Sequence, residues 1–256
     1  MDPKKQSLLK TKMEKALHLD YDHDDGIWIK SGKSLRRLIG ILGISLPVVL
    51  VLASLTFFDL NAPLESISHY YYTRAGAIFT TILSLIAIFL IVYSGKKSID
   101  FYISAVAGIC ALFVVLFPTG SLSDICCDTS KTYAVTYITE NSFRETFHLV
   151  SAAVFISLLA YMSFFIFTKS DKPPHLRGKA KIKRNRIYRI CGGLIVVALL
   201  VMLAGFKGLI PEEIYFGKNL TFWMEALAVE SFGIAWLIKG ETFFQDQEKK
   251  KQDGIA

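Results

Sequence analysis

Six blocks of about twenty residues, almost free of charge, run through this chain: roughly 38–58, 74–94, 99–118, 146–168, 187–206 and 219–238. At 1.5 Å per helical residue, such a block matches the roughly 30 Å hydrocarbon core of a bilayer. No water is present there, so a spanning segment must satisfy its own backbone as a helix or join a closed barrel. The blocks lack the apolar–polar alternation of barrel strands. The expected fold class is therefore all-α, a polytopic bundle of six transmembrane helices. Composition agrees: of 256 residues 52% are hydrophobic and only 20% charged, with a mean hydropathy of +0.42. A soluble domain of this length would break its apolar residues into amphipathic stripes.

Lysine and arginine set the expected orientation. Twenty-four of the 29 lie in residues 1–37, at 96–97, between 169 and 189, or from Lys239 onward. The alternate segments hold Arg74, Lys131, Arg144, Lys207 and Lys218. With six spans, every basic segment falls on one side, which the positive-inside bias makes the cytoplasm. Both termini are then cytoplasmic. Residues 1–37 are polar and form no cleavable signal, so the first block is expected to act as an uncleaved anchor. Three regions follow: a basic segment at 1–37, the six-helix transmembrane domain at 38–240, and a polar tail at 241–256.

The net charge of +7 is read in the same light. It fixes topology and meets anionic lipid head groups at the cytoplasmic face. No zinc-finger spacing or RNA-stacking platform accompanies it, so nucleic acid is not an expected partner. P-loop, GxGxxG and GxSxG patterns are missing too, and no catalytic or cofactor signature stands out. Leu9, Met13 and Leu17 recur at four-residue spacing and suggest an interfacial helix. The following HLDYDHDDGIW, with His18 and His23 among four aspartates, lacks calcium-loop spacing and reads as a solvated acidic turn, so no metal site is assigned. Cys126 and Cys127 sit side by side in the longest outer connector, where oxidation is chemically open. Cys110 and Cys191 lie at depths about 12 Å apart, too far for a disulfide. In the same connector TYAVTYIT alternates like a small strand. Small residues (Ala107 and Ala111, Gly192 and Gly193) suit tight helix packing or a homodimer face.

Ionisable groups inside the blocks are the candidate site. A charge in hydrocarbon costs about 2.5–3.5 kcal/mol on insertion scales, so it marks function by default. The sixth block holds Glu225 and Glu230, five residues and hence about 140° apart. In the fourth, Arg144, His148 and Ser151 follow i, i+4, i+7 spacing on one face. Extending the second block's helix back through SISHYYYTRAG aligns Tyr70, Arg74, Thr81 and Ser84, with His69 at the rim. Depth along the blocks brings Arg74, His148, Glu225, Glu230 and His69 to the outer half. They are expected to bind a ligand in one outward-facing polar cavity, with Glu230 at its floor. Against this stands a plainer expectation for the tyrosines, an aromatic belt at the membrane interface.

Two family comparisons follow. The membrane hydrolase superfamily of alkaline ceramidases and adiponectin receptors pairs a serine with a histidine four residues on, adds an aspartate, and ends in H-x-x-x-H. Here Ser66 and Ser68 precede His69 by three and one, Asp100 falls at the opposite membrane face, and the last block has no histidine. That assignment is not supported. SISHYYYTRAGAIF, VYSGKKSIDFYISAVAGICALFVVLFPTG, HLVSAAVFISLLAYMSFFIFTKS, KRNRIYRICGG and ESFGIAWLIKGE instead resemble a group of uncharacterised bacterial six-span membrane proteins over about 38–241. The resemblance implies a bacterial inner-membrane address and carries no activity with it. Three function classes remain: non-enzymatic binding or movement of a small molecule, lipid or proton; a membrane-embedded metal-dependent hydrolase acting on a lipid or amide; and a membrane scaffold or stress effector.

Overall fold

In the computed structural model, residues 32–57, 62–95, 97–120, 134–170, 173 and 177–244 are described. The N-terminal acidic stretch, the helix proposed around Leu9, and the Cys126–Cys127 pair lie outside them. Six main helices follow in order: α1 (Gly32–Phe57), α2 (Gly76–Val92), α3 (Ser98–Leu116), α4 (Ser142–Tyr161), α5 (Lys179–Phe206) and α6 (Leu220–Lys239). Five are long and apolar enough to cross a membrane; α2, at 17 residues, is a shorter apolar helix. Large apolar side chains such as Ile41, Leu52, Val197 and Leu200 stand exposed along the helices, a surface suited to lipid rather than water.

Several helices begin before their apolar blocks, since polar residues continue a helix past the hydrocarbon. α4 starts at Ser142 because the Asn141 side chain accepts the Arg144 amide at 3.0 Å, satisfying one orphan N–H of the first turn. α4 then passes into a π turn at Met162–Ile166. The strand expected in TYAVTYIT is not formed: among the described residues a single bridge links Thr73 and Ala134. With one partner residue available, no ladder can build.

The core is apolar and gathers on α6, which packs against α1, α5 and α4. Its Phe222, Phe232 and Trp236 are fully enclosed. Glycine permits the closest approach. A Cβ on Gly233 would meet the Gly40 carbonyl at 2.8 Å, and one on Gly40 would meet the Gly233 carbonyl at 2.7 Å, so α1 and α6 cross backbone to backbone. Ala107 and Ala111 are likewise buried, spent on packing inside the chain. Cys110 and Cys191 are free thiols.

The two ends of the bundle differ. At one, called here the basic end, α1, α5, α6 and the turn beyond α4 carry Lys33, Arg37, Lys169, Lys181, Arg184 and Lys239. Buried Asp100 pairs there with Lys169, and Lys33 with Glu241 at 2.9 Å. The other, the loop end, is covered by residues 62–75.

Candidate functional site beneath the loop-end plug

SISHYYYTRAG is neither a helix extension nor a belt. Ser68–Tyr72 form a short 3-10 helix, Thr73 is extended, and α2 begins only at Gly76. Tyr70 therefore does not share a helical stripe with Thr81 and Ser84. Tyr70 and Tyr72 are wholly buried, correcting the belt expectation for both; Tyr71 alone is half-exposed, edge-on to Tyr72. A buried phenol needs a partner. The Tyr70 hydroxyl bonds Ser54 of α1 and accepts the Leu64 amide at 3.4 Å. The Tyr72 hydroxyl donates to the Thr119 carbonyl, while its own carbonyl takes the Val135 amide at 2.9 Å. The segment thus fills the mouth of the bundle as a plug.

Three bonds tie the plug to the start of α6. Asn219 Nδ2 donates to the Pro63 carbonyl at 2.7 Å, the Phe222 amide to the Glu65 carbonyl at 3.0 Å, and the Ile67 amide to Glu225 Oε2 at 2.7 Å. The last is charge-assisted when Glu225 is ionised, and roughly twice as strong as a neutral bond. From α4, buried His148 grips the next residue. Its Nδ1 lies 2.8 Å from the Phe117 carbonyl, which can only accept, so Nδ1 carries the proton. Nε2 is then the acceptor for Ser68 Oγ–H at 3.2 Å. Two ionisable side chains from different helices hold neighbouring residues of one loop.

A third polar set lies within the plug. His69 Nδ1 sits 2.8 Å from Ser66 Oγ, which also accepts the His69 amide at 3.3 Å, and His69 Nε2 is 3.9 Å from Glu65 Oε2. Burial pushes the His69 imidazole below its usual range; the neighbouring Glu65 carboxylate opposes this.

The five candidate residues separate accordingly. His148, Glu225 and His69 meet at the plug. Among the described residues Glu225 makes no direct bond to His148 or Arg74; its Oε2 accepts the Ile67 amide instead. Arg74 is exposed and stands apart. Arg144, on the same α4 face as His148, turns to the Pro118 and Thr139 carbonyls at 3.1 and 2.8 Å and to Glu145 at 3.2 Å. Glu230 does not floor the cluster: the 140° rotation carries it to a groove of about 490 Å³ between α1 and α6, shared with Pro47, Val51, Leu52 and Trp223. Asp100 lies at the opposite end from both histidines. Ser54, Ser66, Ser68 and Asn219 join the site without having been anticipated. The spacing of SISH hinted at Ser66 and Ser68, since alternate serines beside a histidine are short side chains able to bond locally; nothing marked Ser54 or Asn219.

Among the described residues no three His, Cys, Asp or Glu side chains come together as a metal-binding group. The cluster's chemistry is that of proton exchange and hydrogen bonding: the Glu65 and Glu225 carboxyls, the His69 and His148 imidazoles and several hydroxyls around a backbone turn. Compared with known proteins, the chain matches no protein family, no curated protein and no solved structure.

Proposed function

We propose that this chain is a non-enzymatic integral membrane protein, in which the plug gates proton-linked binding or passage of a small polar solute at the outer face. Six spans with both termini in the cytoplasm are the topology of this reading. α2 measures about 26 Å at 1.5 Å per residue, and the plug makes up the remaining depth. The positive-inside bias makes the basic end cytoplasmic and the plug external.

One observation carries the proposal: Ile67 and Ser68, adjacent in the plug, are held by Glu225 and His148. Protonating Glu225 removes the charge that strengthens the Ile67 bond. Protonating His148 inverts its bond to Ser68 and places a positive charge on a buried imidazole, at a desolvation cost that release of the plug relieves. Both changes loosen the plug toward acid. His69 adds in the same direction. Its folded pKa is lowered, so the folded plug holds fewer protons than the released one. Its contribution is full above the unfolded value of about 6.5 and declines as pH falls below it.

Cysteine accessibility tests this. In a chain whose native cysteines are serine, Ile67→Cys keeps the backbone amide and places a buried thiol in the plug. A membrane-impermeant maleimide applied to sealed, right-side-out vesicles should label it slowly at pH 7.5 and faster at pH 5.5, after correction for thiolate content. Glu225→Gln should raise the neutral rate. Equal corrected rates at both pH values would remove the gate.

A second reading rests on the Ser68–His148 pair. A hydroxyl 3.2 Å from Nε2, with Nδ1 fixed by a carbonyl, has the arrangement of a nucleophile and its base. This would be a metal-independent membrane hydrolase. A fluorophosphonate probe separates the two: covalent labelling of Ser68 favours the hydrolase, and an unlabelled Ser68 at pH 5.5 and 7.5 favours the gate.

A further inference from the structure

The basic end carries a second site unrelated to the plug. A groove of about 500 Å³ runs along the first turns of α5, lined by Arg177, Ile182, Asn185, Arg186, Arg189 and Ile190. Two of its arginines, Arg186 and Arg189, are exposed, and among the described lining residues there is no carboxylate. Within it Asn185 is 92% buried, and its Oδ1 has no hydrogen-bond partner among the described residues. A buried carbonyl oxygen left unpaired costs about 1–3 kcal/mol, so a donor that meets it once the amide turns into the groove is favoured. We propose that this groove binds the head group of an anionic phospholipid that carries free hydroxyls. The phosphate takes the arginine fork, whose planar donors match its oxygens. A head-group hydroxyl donates to Asn185 Oδ1.

The choice of a lipid over a soluble phosphate rests on what continues from the groove. Ile182 and Ile190 flank the arginines, and both are about half exposed. From Ile190 the same α5 face proceeds at i, i+4, i+7 through Leu194 and Val197, which are also exposed. The phosphate pocket therefore opens onto an apolar track directed along the helix, where acyl chains lie once α5 spans the bilayer. The inference depends on that membrane reading and is independent of the plug.

The test uses the full chain in mild detergent, with bound lipid counted by native mass spectrometry during titration with phosphatidylglycerol, phosphatidylcholine or inorganic phosphate. One phosphatidylglycerol should be retained more tightly than phosphatidylcholine. The double variant Arg186→Ala/Arg189→Ala should bind it about 30-fold more weakly, each lost arginine charge contributing about fivefold. Both side chains are exposed, so the fold should survive; Arg186→Lys/Arg189→Lys checks this and should recover part of the affinity. Asn185→Leu should reduce the preference for phosphatidylglycerol over a phosphatidic acid lacking the head-group hydroxyls. Wild-type retention by the double alanine variant would overturn the site. Displacement of the lipid by millimolar inorganic phosphate would overturn its lipid identity.

Discussion

Tyr70 and Tyr71 are neighbours with opposite fates, and a single oxygen atom shows it. The Tyr70 hydroxyl is enclosed between Ser54 and the Leu64 amide, whereas the Tyr71 ring lies half in the open. Tyr70→Phe should lower the thermal stability of the purified protein by about 1–3 kcal/mol, because the Leu64 amide is left buried without its acceptor. Tyr71→Phe should be close to neutral. Equal tolerance of the two changes would return both rings to an interfacial belt. The candidate residues were legible in the sequence as a set because ionisable groups are rare in apolar blocks, and His148 and Glu225 do reach one feature. What they grip was not legible. A backbone amide such as that of Ile67 leaves no trace in residue type, so residue identity does not point to the partner of Glu225. The separation of Glu230 from Glu225 follows from helical rotation alone and was readable. That its groove lies toward α1 was not, since it depends on which helices pair.

At the scale of elements, periodicity located six apolar blocks and the structure has six corresponding helices, five of them of spanning length. The boundaries moved outward wherever a cap or a basic turn extended the helix, and inward at α2. There the plug's tyrosines are apolar enough to read as helix yet are needed as core. Pairing of α1 with α6 rests on Gly40 and Gly233, two of the chain's 17 glycines, 193 positions apart. Their partnership is not visible in either local sequence. Gly233→Val should place its side chain against the Gly40 carbonyl and destabilise the bundle by about 1–3 kcal/mol or more, read as a lower unfolding temperature in detergent. Gly193→Ala is the control. No atom lies within 4 Å of where its Cβ would stand, so that protein should melt with the wild type. A Gly233→Val protein as stable as Gly193→Ala would show that α1 and α6 do not meet closely.

For the whole molecule, the proposed orientation rests on charge asymmetry and the proposed function on the plug. Reporter fusions after residues 30, 178 and 250 should report cytoplasm, and one placed within 125–135 should report the outside. An external signal at 178 would invert the bundle and put the plug in the cytoplasm. At the plug a carboxylate of α6 and an imidazole of α4 hold consecutive residues of a single loop. Hydrogen exchange at the Ile67 amide reads that hold most directly, by mass spectrometry on the protein in lipid nanodiscs with rates divided by their intrinsic pH dependence. The predicted result is strong protection at pH 7.5, lost progressively below about pH 6.5, and reduced about five- to tenfold at pH 7.5 by Glu225→Gln, which keeps an acceptor but loses its charge. Protection of Ile67 that is the same at pH 5.5 and 7.5, and unmoved by Glu225→Gln, would contradict a proton-linked plug.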